Sequence, residues 1–369
     1  MKKELGRNYP GMFDLLKGVI LFSIVLTHTR GLIPDALLFG GEPSFLKSFF
    51  YVVVEVLQLR NTAIPALFFI SGYSFKPTAM GKCLKKQSKQ LLRPYLITGI
   101  AVAVVHLICH FCAFRYFPGA LRQTGIVALS HLMGLQQGFL IGDIQLCFIG
   151  SVWFLLALFE GWLLLNLVME YLPRKSHGIL AILFIFLSYY LIAFAPPAIT
   201  FTLCFTYIFL CAGCMYVGLW IKENNWLWKP LHPAVWVGIA VLAISGNTIL
   251  YFPQTAQLPM VIPFFVVTIG ALCGAFFLLW AFVRLNRFHN WFFDKVRVVG
   301  RYSFWVLCAH TVEAQGLLWY VVVDRFASWG LLTMTAVLIL RGMLIFPMCL
   351  GIYQWKKRRR QSRRPALHQ

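Results

Sequence analysis

Apolar stretches long enough to cross a lipid bilayer follow one another along almost the whole chain. A membrane-spanning helix needs about 20 predominantly apolar residues, and such stretches recur here with only short polar connections. Hydrophobic residues make up 60% of the 369 positions and charged residues only 12%, about half the charged share of soluble domains. We therefore predict an all-α polytopic membrane domain over residues 1–355, followed by a basic cytoplasmic tail over residues 356–369.

The hydropathy pattern predicts about ten transmembrane helices. They cover residues 13–33, 62–75, 91–114, 148–169, 178–194, 201–221, 234–252, 258–283, 303–323 and 329–353. The second span is the least regular, because Arg60, Asn61 and Pro65 interrupt the run after the amphipathic stretch 45–59. A bent helix, or an interfacial helix followed by a short span, is expected there. The first span has no small-residue cleavage site and is predicted to be a retained helix rather than a signal peptide.

The positive charges are distributed as a topology signal. The net charge is +21, but the 33 Lys and Arg residues lie in short clusters between apolar stretches. With a cytoplasmic N-terminus, 25 of them face the cytoplasm, 6 face outward and 2 lie within spans, as the positive-inside rule requires. We therefore predict cytoplasmic termini and no nucleic-acid partner. The tail is expected to contact anionic lipids through Lys356, Lys357, Arg358, Arg359, Arg360, Arg363 and Arg364.

Cysteine and histidine spacing does not indicate a disulfide framework or a metal site. The ten cysteines lie mostly inside apolar segments, and the CxxC pair Cys211 and Cys214 is interpreted as helix packing. His106 and His110 could be drawn as metal ligands, but no carboxylate accompanies them. We interpret them as a polar face at the outer end of their helix and predict no bound metal.

The first span carries three ionisable residues, each costing about 2.5–3.5 kcal/mol at membrane depth on insertion scales. Asp14, Lys17 and His28 are separated by 3 and 11 residues, and an 11-residue step returns to within about 20° of the same helix face. The same step is about 16 Å along the axis, so Lys17 would lie near the cytoplasmic entrance and His28 deep in the membrane. The alternative is that Lys17 reaches the headgroups beside Asp14 while His28 caps the outer end.

A second polar pair lies in the ninth predicted span. His310 and Glu313 are one helical turn apart on one face, near the middle of the membrane. They could orient each other or a substrate hydroxyl. Glu55 and Glu160 lie nearer an interface and are interpreted as helix-packing or headgroup contacts.

A basic segment follows the second span. Its cations beside the mouth of the first helix are Lys76, Lys82, Lys85, Lys86, Lys89 and Arg93. A phosphate-rich ligand would use such a cluster. The alternative is positive-inside bias alone.

Five stretches carry a resemblance to a known family. They are FDLLKGVILFSIVLTHT from Phe13, IPALFFISGYSF from Ile64, KKQSKQLLRPY from Lys85, WFLLALF from Trp153 and YSFWVLCAHT from Tyr302. In this order they resemble the acyltransferase-3 family of integral membrane O-acyltransferases, especially its fucose 4-O-acetylase-like branch. The basic residue of the first helix is often Arg in that family, whereas Lys17 stands here, and Lys86 to Lys89 replace an arginine-rich motif.

The resemblance implies an enzyme that moves an acyl group, expected to be acetyl, from acyl-coenzyme A to a hydroxyl of a cell-surface or lipid-linked saccharide. It implies that His28 is the essential catalytic residue and that the basic segment meets the acyl donor. Lys17 and Asp14 are expected to assist His28. Trp153, His310 and Glu313 are expected to support the acceptor.

A neutral His28 could take a proton from the acceptor hydroxyl, or be acylated itself and relay the group. Acetyl-coenzyme A would be a co-substrate, no permanently bound cofactor is expected, and the oligomeric state is open. The expected location is the inner (plasma) membrane. Alternative functions are a transporter or flippase for a lipid-linked saccharide, whose path the polar stripe would line, and a membrane sensor or scaffold without turnover.

Overall fold

The chain folds into helices joined by short connections. The computed structural model describes residues 9–34, 59–248 and 261–361. The helices are α1 Asp14–Arg30, α2 Arg60–Tyr73, α3 Met80–Gln87, α4 Arg93–Phe114, α5 Phe117–Leu132, α6 Trp153–Tyr171, α7 Arg174–Phe194, α8 Pro197–Phe201, α9 Phe205–Glu223, α10 Pro233–Thr248, α11 Val261–Leu285, α12 Trp291–Arg301, α13 Ser303–Gly316, α14 Trp319–Phe326 and α15 Leu331–Gln361. A two-stranded antiparallel hairpin pairs β1 Leu140–Ile141 with β2 Ile144–Gln145. A π-helical turn, Ser88–Leu92, joins α3 to α4, and 3₁₀ turns lie at Gly150–Val152, Thr202–Cys204 and Ala327–Trp329.

Three features expected from the sequence lie outside the described residues. They are the amphipathic stretch 45–58, Glu55 within it, and the end of the basic tail with Arg363 and Arg364. The predicted second span is present as the short helix α2, which begins after Leu59 in the left-handed backbone region.

The all-α membrane class predicted from the sequence is confirmed. Within the described residues, six helical segments are long and apolar enough to cross a membrane. They are Met80–Phe114, Gly150–Tyr171, Arg174–Phe194, Thr202–Glu223, Ile262–Leu285 and Leu331–Met348. A seventh is the pair α13 and α14, if the two are counted as one broken span. The helices α1, α2 and α10 are shorter, with 17, 14 and 16 residues.

The ninth predicted span is not one continuous helix. The apolar run 303–323 predicted a single helix, but the chain leaves helical geometry at Leu317, and α13 and α14 meet at an angle of 65°. The indole of Trp319 turns back to donate a hydrogen bond to the backbone oxygen of Glu313, 3.1 Å away. The same carbonyl accepts the backbone N–H of Leu317 at 3.2 Å, so the indole is its second donor.

The first helix crosses α12 so closely that glycines are required at the contact. A Cβ atom at Gly300 would lie 1.7 Å from the backbone oxygen of Asp14, and one at Gly18 would lie 2.3 Å from the backbone oxygen of Val296. Other sides of α1 pack against α11, α13 and α15. The crossing fixes α1 next to α13, which carries His310 and Glu313, and next to α15, which carries Arg341.

A buried arginine anchors α12 to the end of α11. Arg297 donates hydrogen bonds to the side chain and the backbone oxygen of Asn286, each at 2.9 Å, and to the backbone oxygen of Phe288. On the exposed side, hydrogen bonding to His289, and then to Arg297, lowers the pKa of the Asp294 carboxyl. These bonds hold α12 against the end of α11, while Trp291 remains 76% exposed, as suits a helix at a membrane boundary.

The helix α9 is central to the core and packs against α2, α6 and α7. Its contact with α2 is close, because a Cβ atom at Gly218 would lie 2.1 Å from the backbone oxygen of Phe69. Cys211 and Cys214 are buried in this core, in agreement with the packing role predicted for them. Gly270 of α11 lies directly against Gly246 of α10.

The segment between α4 and α6 covers one end of the helices. Here α5 packs against α4, and Nδ1 of His106 lies 2.9 Å from Oγ1 of Thr124. The chain then passes Gln136 and Gln137, forms the β-hairpin and re-enters the core at Ile149, which is completely buried. These residues become one wall of the cavity that holds His28.

Candidate functional site

His28 lines a cavity of about 470 Å³ inside the protein. The wall residues are Ile24, Thr27, His28, Ala63, Ile64, Leu67, Gln136, Gln137, Phe148, Ser151, Trp153, Phe154 and Leu307. They come from α1, α2, the segment before α6, the start of α6, and α13. The wall is mostly apolar with a few polar groups, which is typical of a small-molecule site.

The ring of His28 is held from one side by His310. Nδ1 of His28 lies 2.9 Å from Nε2 of His310, and the two rings stack at a centroid distance of 5.1 Å. Phe148 contacts the His28 ring edge-on at 5.6 Å, and Oγ of Ser151 lies 3.5 Å from Nδ1. Nδ1 is therefore engaged by the protein, and none of the described residues forms a hydrogen bond with Nε2. Nε2 is the nitrogen left for chemistry in the cavity.

His310 connects His28 to Glu313. Nδ1 of His310 lies 2.7 Å from Oε1 of Glu313, as their predicted placement on one face of a helix allows. His310 is 1% exposed and Glu313 is 4% exposed. Buried polar groups are costly unless they are hydrogen-bonded, and these two residues, with His28, satisfy one another.

Glu313 also contacts an indole and a guanidinium. Nε1 of Trp319 donates a hydrogen bond to Oε2 of Glu313 at 2.7 Å, and Nε of Arg341 lies 3.6 Å from the same oxygen. The Arg341 guanidinium also lies 5.2 Å from the Trp319 ring centroid and donates a hydrogen bond to Oγ1 of Thr29 at 3.1 Å. The polar network thus joins α1, α13, α14 and α15.

Sequence reasoning missed Ser151, Trp319 and Arg341 as members of this network. A lone arginine inside an apolar span is itself a signal, since a cation at membrane depth is costly and usually paired. The position of Arg341 in the sequence does not show that Glu313 is its partner, because the two residues belong to different helices.

Asp14 and Lys17 lie at the other end of α1 and do not reach His28. Nζ of Lys17 is 2.8 Å from Oδ1 of Asp14, and Nε of Arg301 is 3.4 Å from Oδ2 of the same carboxylate. The cavity extends along α1 only as far as Ile24. The three residues predicted to share a stripe are therefore on one helix, but they belong to two separate clusters about 16 Å apart.

The five basic residues predicted to bind the donor form an exposed surface. Lys82, Lys85, Lys86, Lys89 and Arg93 are all exposed on α3, the π-helical turn and the start of α4. Nζ of Lys86 lies 5.9 Å from the ring centroid of Trp162 on α6, against which α3 packs. A hydrogen bond of 3.0 Å from the backbone of Thr78 to Asn166 holds the preceding loop to the same helix.

Trp153 is the predicted acceptor residue that shares the cavity with His28. Its ring contacts Tyr207 at a centroid distance of 4.6 Å, and the phenol of Tyr207 lies 3.4 Å from Nε2 of Gln136. Oε1 of Gln136 is buried, and none of the described residues donates a hydrogen bond to it. Within the part of the chain that the structure describes, no group of three or more His, Cys, Asp or Glu side chains could hold a metal ion.

Apolar helices packed around a cavity that presents one histidine nitrogen define a polytopic membrane protein with a candidate site for proton transfer or nucleophilic chemistry. The family model described as an acyltransferase domain, acyltransferase family 3, matches residues 12–353. The chain therefore belongs to the acyltransferase-3 family and is a membrane acyltransferase, as the five sequence stretches indicated. No curated protein and no solved structure matches the chain.

Proposed function

We propose that this acyltransferase moves an acetyl group, or another acyl group, from acyl-coenzyme A to a hydroxyl of a cell-surface or lipid-linked saccharide in the inner (plasma) membrane. The observation that supports it is the placement of His28. Its Nδ1 is engaged by His310, and its ring lines a cavity of about 470 Å³ next to Trp153, Gln136 and Gln137.

In direct transfer, His28 acts as a general base. The acceptor hydroxyl gives its proton to Nε2 of His28 while its oxygen attacks the carbonyl carbon of the thioester. The carbon–sulfur bond breaks, and the departing thiolate takes up the proton from the His28 imidazolium. A positioned base contributes about 10²–10⁴-fold to such a step. His310 and Glu313 support the imidazolium, since their hydrogen bonds of 2.9 Å and 2.7 Å connect it to a carboxylate.

In the relay alternative, Nε2 of His28 attacks the thioester carbon, the carbon–sulfur bond breaks, and coenzyme A leaves as the thiolate, which forms an acyl-imidazolium. The acceptor oxygen then attacks the acyl carbon, the carbon–nitrogen bond breaks and frees Nε2, and the hydroxyl proton passes to the thiolate. The same nitrogen and the same cavity serve both routes.

The acceptor would enter the cavity beside Trp153. A saccharide ring stacks on an aromatic side chain through its apolar face and uses amides for its hydroxyls. Trp153, Phe148, Gln136 and Gln137 all line the cavity, and no residue in the described ranges donates to the side-chain oxygen of Gln136. We favour a lipid-linked saccharide as the acceptor, entering the cavity along this wall.

The donor would be held at the cytoplasmic side. Coenzyme A carries several phosphate charges and is made in the cytoplasm, and the exposed basic surface of α3 offers Lys82, Lys85, Lys86, Lys89 and Arg93. Lys17 and Asp14 would guide its arm into the core. This arrangement rests on ten spans with both termini cytoplasmic, in which α1, α2 and α10 cross the membrane beside the six long helices and the broken pair.

The decisive experiment is release of free coenzyme A thiol by the purified protein in the presence of acetyl-coenzyme A and a saccharide acceptor. Acceptor-dependent thiol release is expected. Movement of a lipid-linked saccharide across vesicle membranes without thiol release would instead support a flippase.

His28→Ala is expected to abolish transfer, because it removes the nitrogen that faces the cavity. His110→Ala is the matched control, since His110 lies on α4, contacts the Phe114 ring at a centroid distance of 4.6 Å, and does not line the cavity. Both variants should insert and purify like the parent. Turnover at the parent rate in His28→Ala would remove His28 from the chemistry.

A further inference from the structure

Arg341 of α15 is only 1% exposed. Among the described residues, it has the largest fully buried side chain. An arginine at the centre of a membrane helix costs about 2.5–3.5 kcal/mol on insertion scales, so its position calls for a physical reason. Among the described residues, its carboxylate partner is Glu313, with Nε and Oε2 3.6 Å apart. Arg341 lies outside the cavity wall and cannot touch a substrate bound there.

We propose that Arg341 is a positioning residue that holds Glu313 as a carboxylate and thereby sets which nitrogen of His28 carries a proton. This rests on the proposed function, in which the lone pair on Nε2 of His28 accepts the acceptor's proton or attacks the acyl carbon. Arg341 acts through Glu313 and His310, both of which lie between it and His28.

The order of protons follows from the chemistry of each partner. Trp319 Nε1 can only donate, and an ionised carboxylate can only accept. Oε2 of Glu313 accepts from Trp319, so Oε1 accepts from Nδ1 of His310. A neutral His310 then has its lone pair on Nε2, and the 2.9 Å contact with His28 requires the proton on Nδ1 of His28. The lone pair of His28 is thereby left on Nε2, facing the cavity.

Without the guanidinium of Arg341, each hydrogen bond between Glu313, His310 and His28 can form with donor and acceptor exchanged. A protonated Glu313 would donate from Oε1 to Nδ1 of His310, and His310 would donate from Nε2 to Nδ1 of His28. Nε2 of His28 would then carry the proton, and it could neither take a proton nor attack a carbonyl. The guanidinium of Arg341 selects the first arrangement because it favours a negative charge on Glu313.

A double-mutant cycle separates action through Glu313 from an independent role. Arg341→Met is expected to lower kcat more than about tenfold while the KM for acyl-coenzyme A changes less than about threefold. In a Glu313→Gln background, the same Arg341→Met change should cause little further loss. Arg341→Lys keeps the cation and is expected to recover much of the parent kcat. Losses that simply multiply in the double variant would overturn the proposal.

Thr29→Val tests whether Arg341 is only a tie between helices. This variant removes the hydrogen bond between Arg341 and Thr29, which joins α15 to α1, and it leaves the charge beside Glu313. Its kcat is expected to stay near that of the parent. A loss as large as that of Arg341→Met would show that helix attachment, and not charge, is what Arg341 supplies.

Nitrogen-15 NMR of histidine-labelled protein in lipid bilayers reads the protonation without turnover. Signals of His28 are identified by their loss in His28→Gln. The parent is expected to carry the His28 proton on Nδ1, and Arg341→Met is expected to move it to Nε2. An unchanged His28 spectrum in a folded Arg341→Met protein would refute the proposal. A parent with the expected tautomer but no acyl transfer would refute the proposed function alone.

Discussion

A polar side chain at membrane depth must find its partners within the protein, because hydrocarbon offers none. Here the partners come from different helices, since His28 of α1 meets His310 of α13, and Arg341 of α15 meets Glu313. Removing one member of a buried ion pair costs about 3–5 kcal/mol, because the other charge is left uncompensated. The network therefore ties α1, α13, α14 and α15 together at the point where it presents His28 to the cavity.

Lys17 is expected to influence donor use more than the chemical step. It pairs with Asp14 at 2.8 Å, about 16 Å along α1 from His28. Lys17→Ala should raise the KM for acyl-coenzyme A with a smaller fall in kcat, and Lys17→Arg should be tolerated better because it keeps the charge. Initial rates over a range of donor concentrations measure both, with the exposed Lys175→Ala as control. A kcat loss equal to that of His28→Ala with unchanged KM would contradict the prediction.

The sequence predicts which polar residues share one face of a helix. It does not predict which helices bring these residues together. Helix geometry alone places His310 and Glu313 on one face. Their meeting with His28 joins residues 282 positions apart, and nothing in the spacing shows which helices face each other. Arg341 and Trp319 were missed for the same reason, since their roles exist only once α13, α14 and α15 are packed together.

At the scale of single helices, hydropathy predicted where the apolar helices lie better than where they break. The run 303–323 is apolar throughout, and a window of average hydropathy cannot register the 65° bend after Gly316. That bend brings the indole of Trp319 back to Glu313, with a hydrogen bond of 2.7 Å. A straight helix would direct Trp319 away from the carboxylate, so the break is part of how the polar network is built.

The crossing of α1 and α12 should depend on Gly300. A methyl group there would lie 1.7 Å from the backbone oxygen of Asp14, so Gly300→Ala must push the helices apart. Overpacking of this kind costs about 1–3 kcal/mol or more. Gly125→Ala is the matched control, because a Cβ atom at this helical glycine meets no atom within 4 Å. Thermal unfolding in detergent should show a lower Tm for Gly300→Ala alone. Equal Tm values would mean that the crossing can relax without cost.

The basic surface of α3 is expected to bind the donor through several weak contacts. Lys85, Lys86 and Lys89 are exposed, so each single loss should be mild, and the triple change to Gln should raise the KM for acyl-coenzyme A about three- to tenfold. The KM of the variant should also depend less on salt, because salt screens exposed charges. A triple change of Arg174, Lys175 and Lys229 to Gln is the control. An unchanged donor KM at low and high salt would leave the basic segment with a topology role only.

For the whole molecule, the cavity is closed by parts of the chain that are far apart in sequence. Ile24, Ala63, Gln136, Phe154 and Leu307 all line it. The membrane class and the positions of the long helices could be predicted from hydropathy, because each depends on a local run of residues. A cavity lined by several helices depends on which helices pack side by side, and the hydropathy of a single segment does not contain that information. The side of the membrane on which each loop lies depends on the orientation of α1 and on the number of crossings.

The number of crossings can be decided by labelling two positions. From residue 80 onward, the described residues contain six long apolar helices and the broken pair α13 and α14, which makes seven crossings if the pair spans once. The 16-residue helix α10 would be the eighth. With seven crossings, residue 81 and residue 358 lie on opposite sides of the membrane; with eight, they lie on the same side.

We expect eight crossings and both positions in the cytoplasm. The natural Cys83 is only 2% exposed and labels poorly. Gly81→Cys and Arg358→Cys are therefore introduced in a Cys112→Ser background, because Cys112 is exposed. A membrane-impermeant maleimide should label both only after the cells are permeabilised, whereas Gln123→Cys should be labelled in intact cells. Opposite labelling of positions 81 and 358 would show that either α10 or the pair α13 and α14 does not cross the membrane once. Labelling of Gly81→Cys in intact cells would place the basic surface outside, away from the cytoplasmic acyl-coenzyme A, and would contradict the proposed donor route.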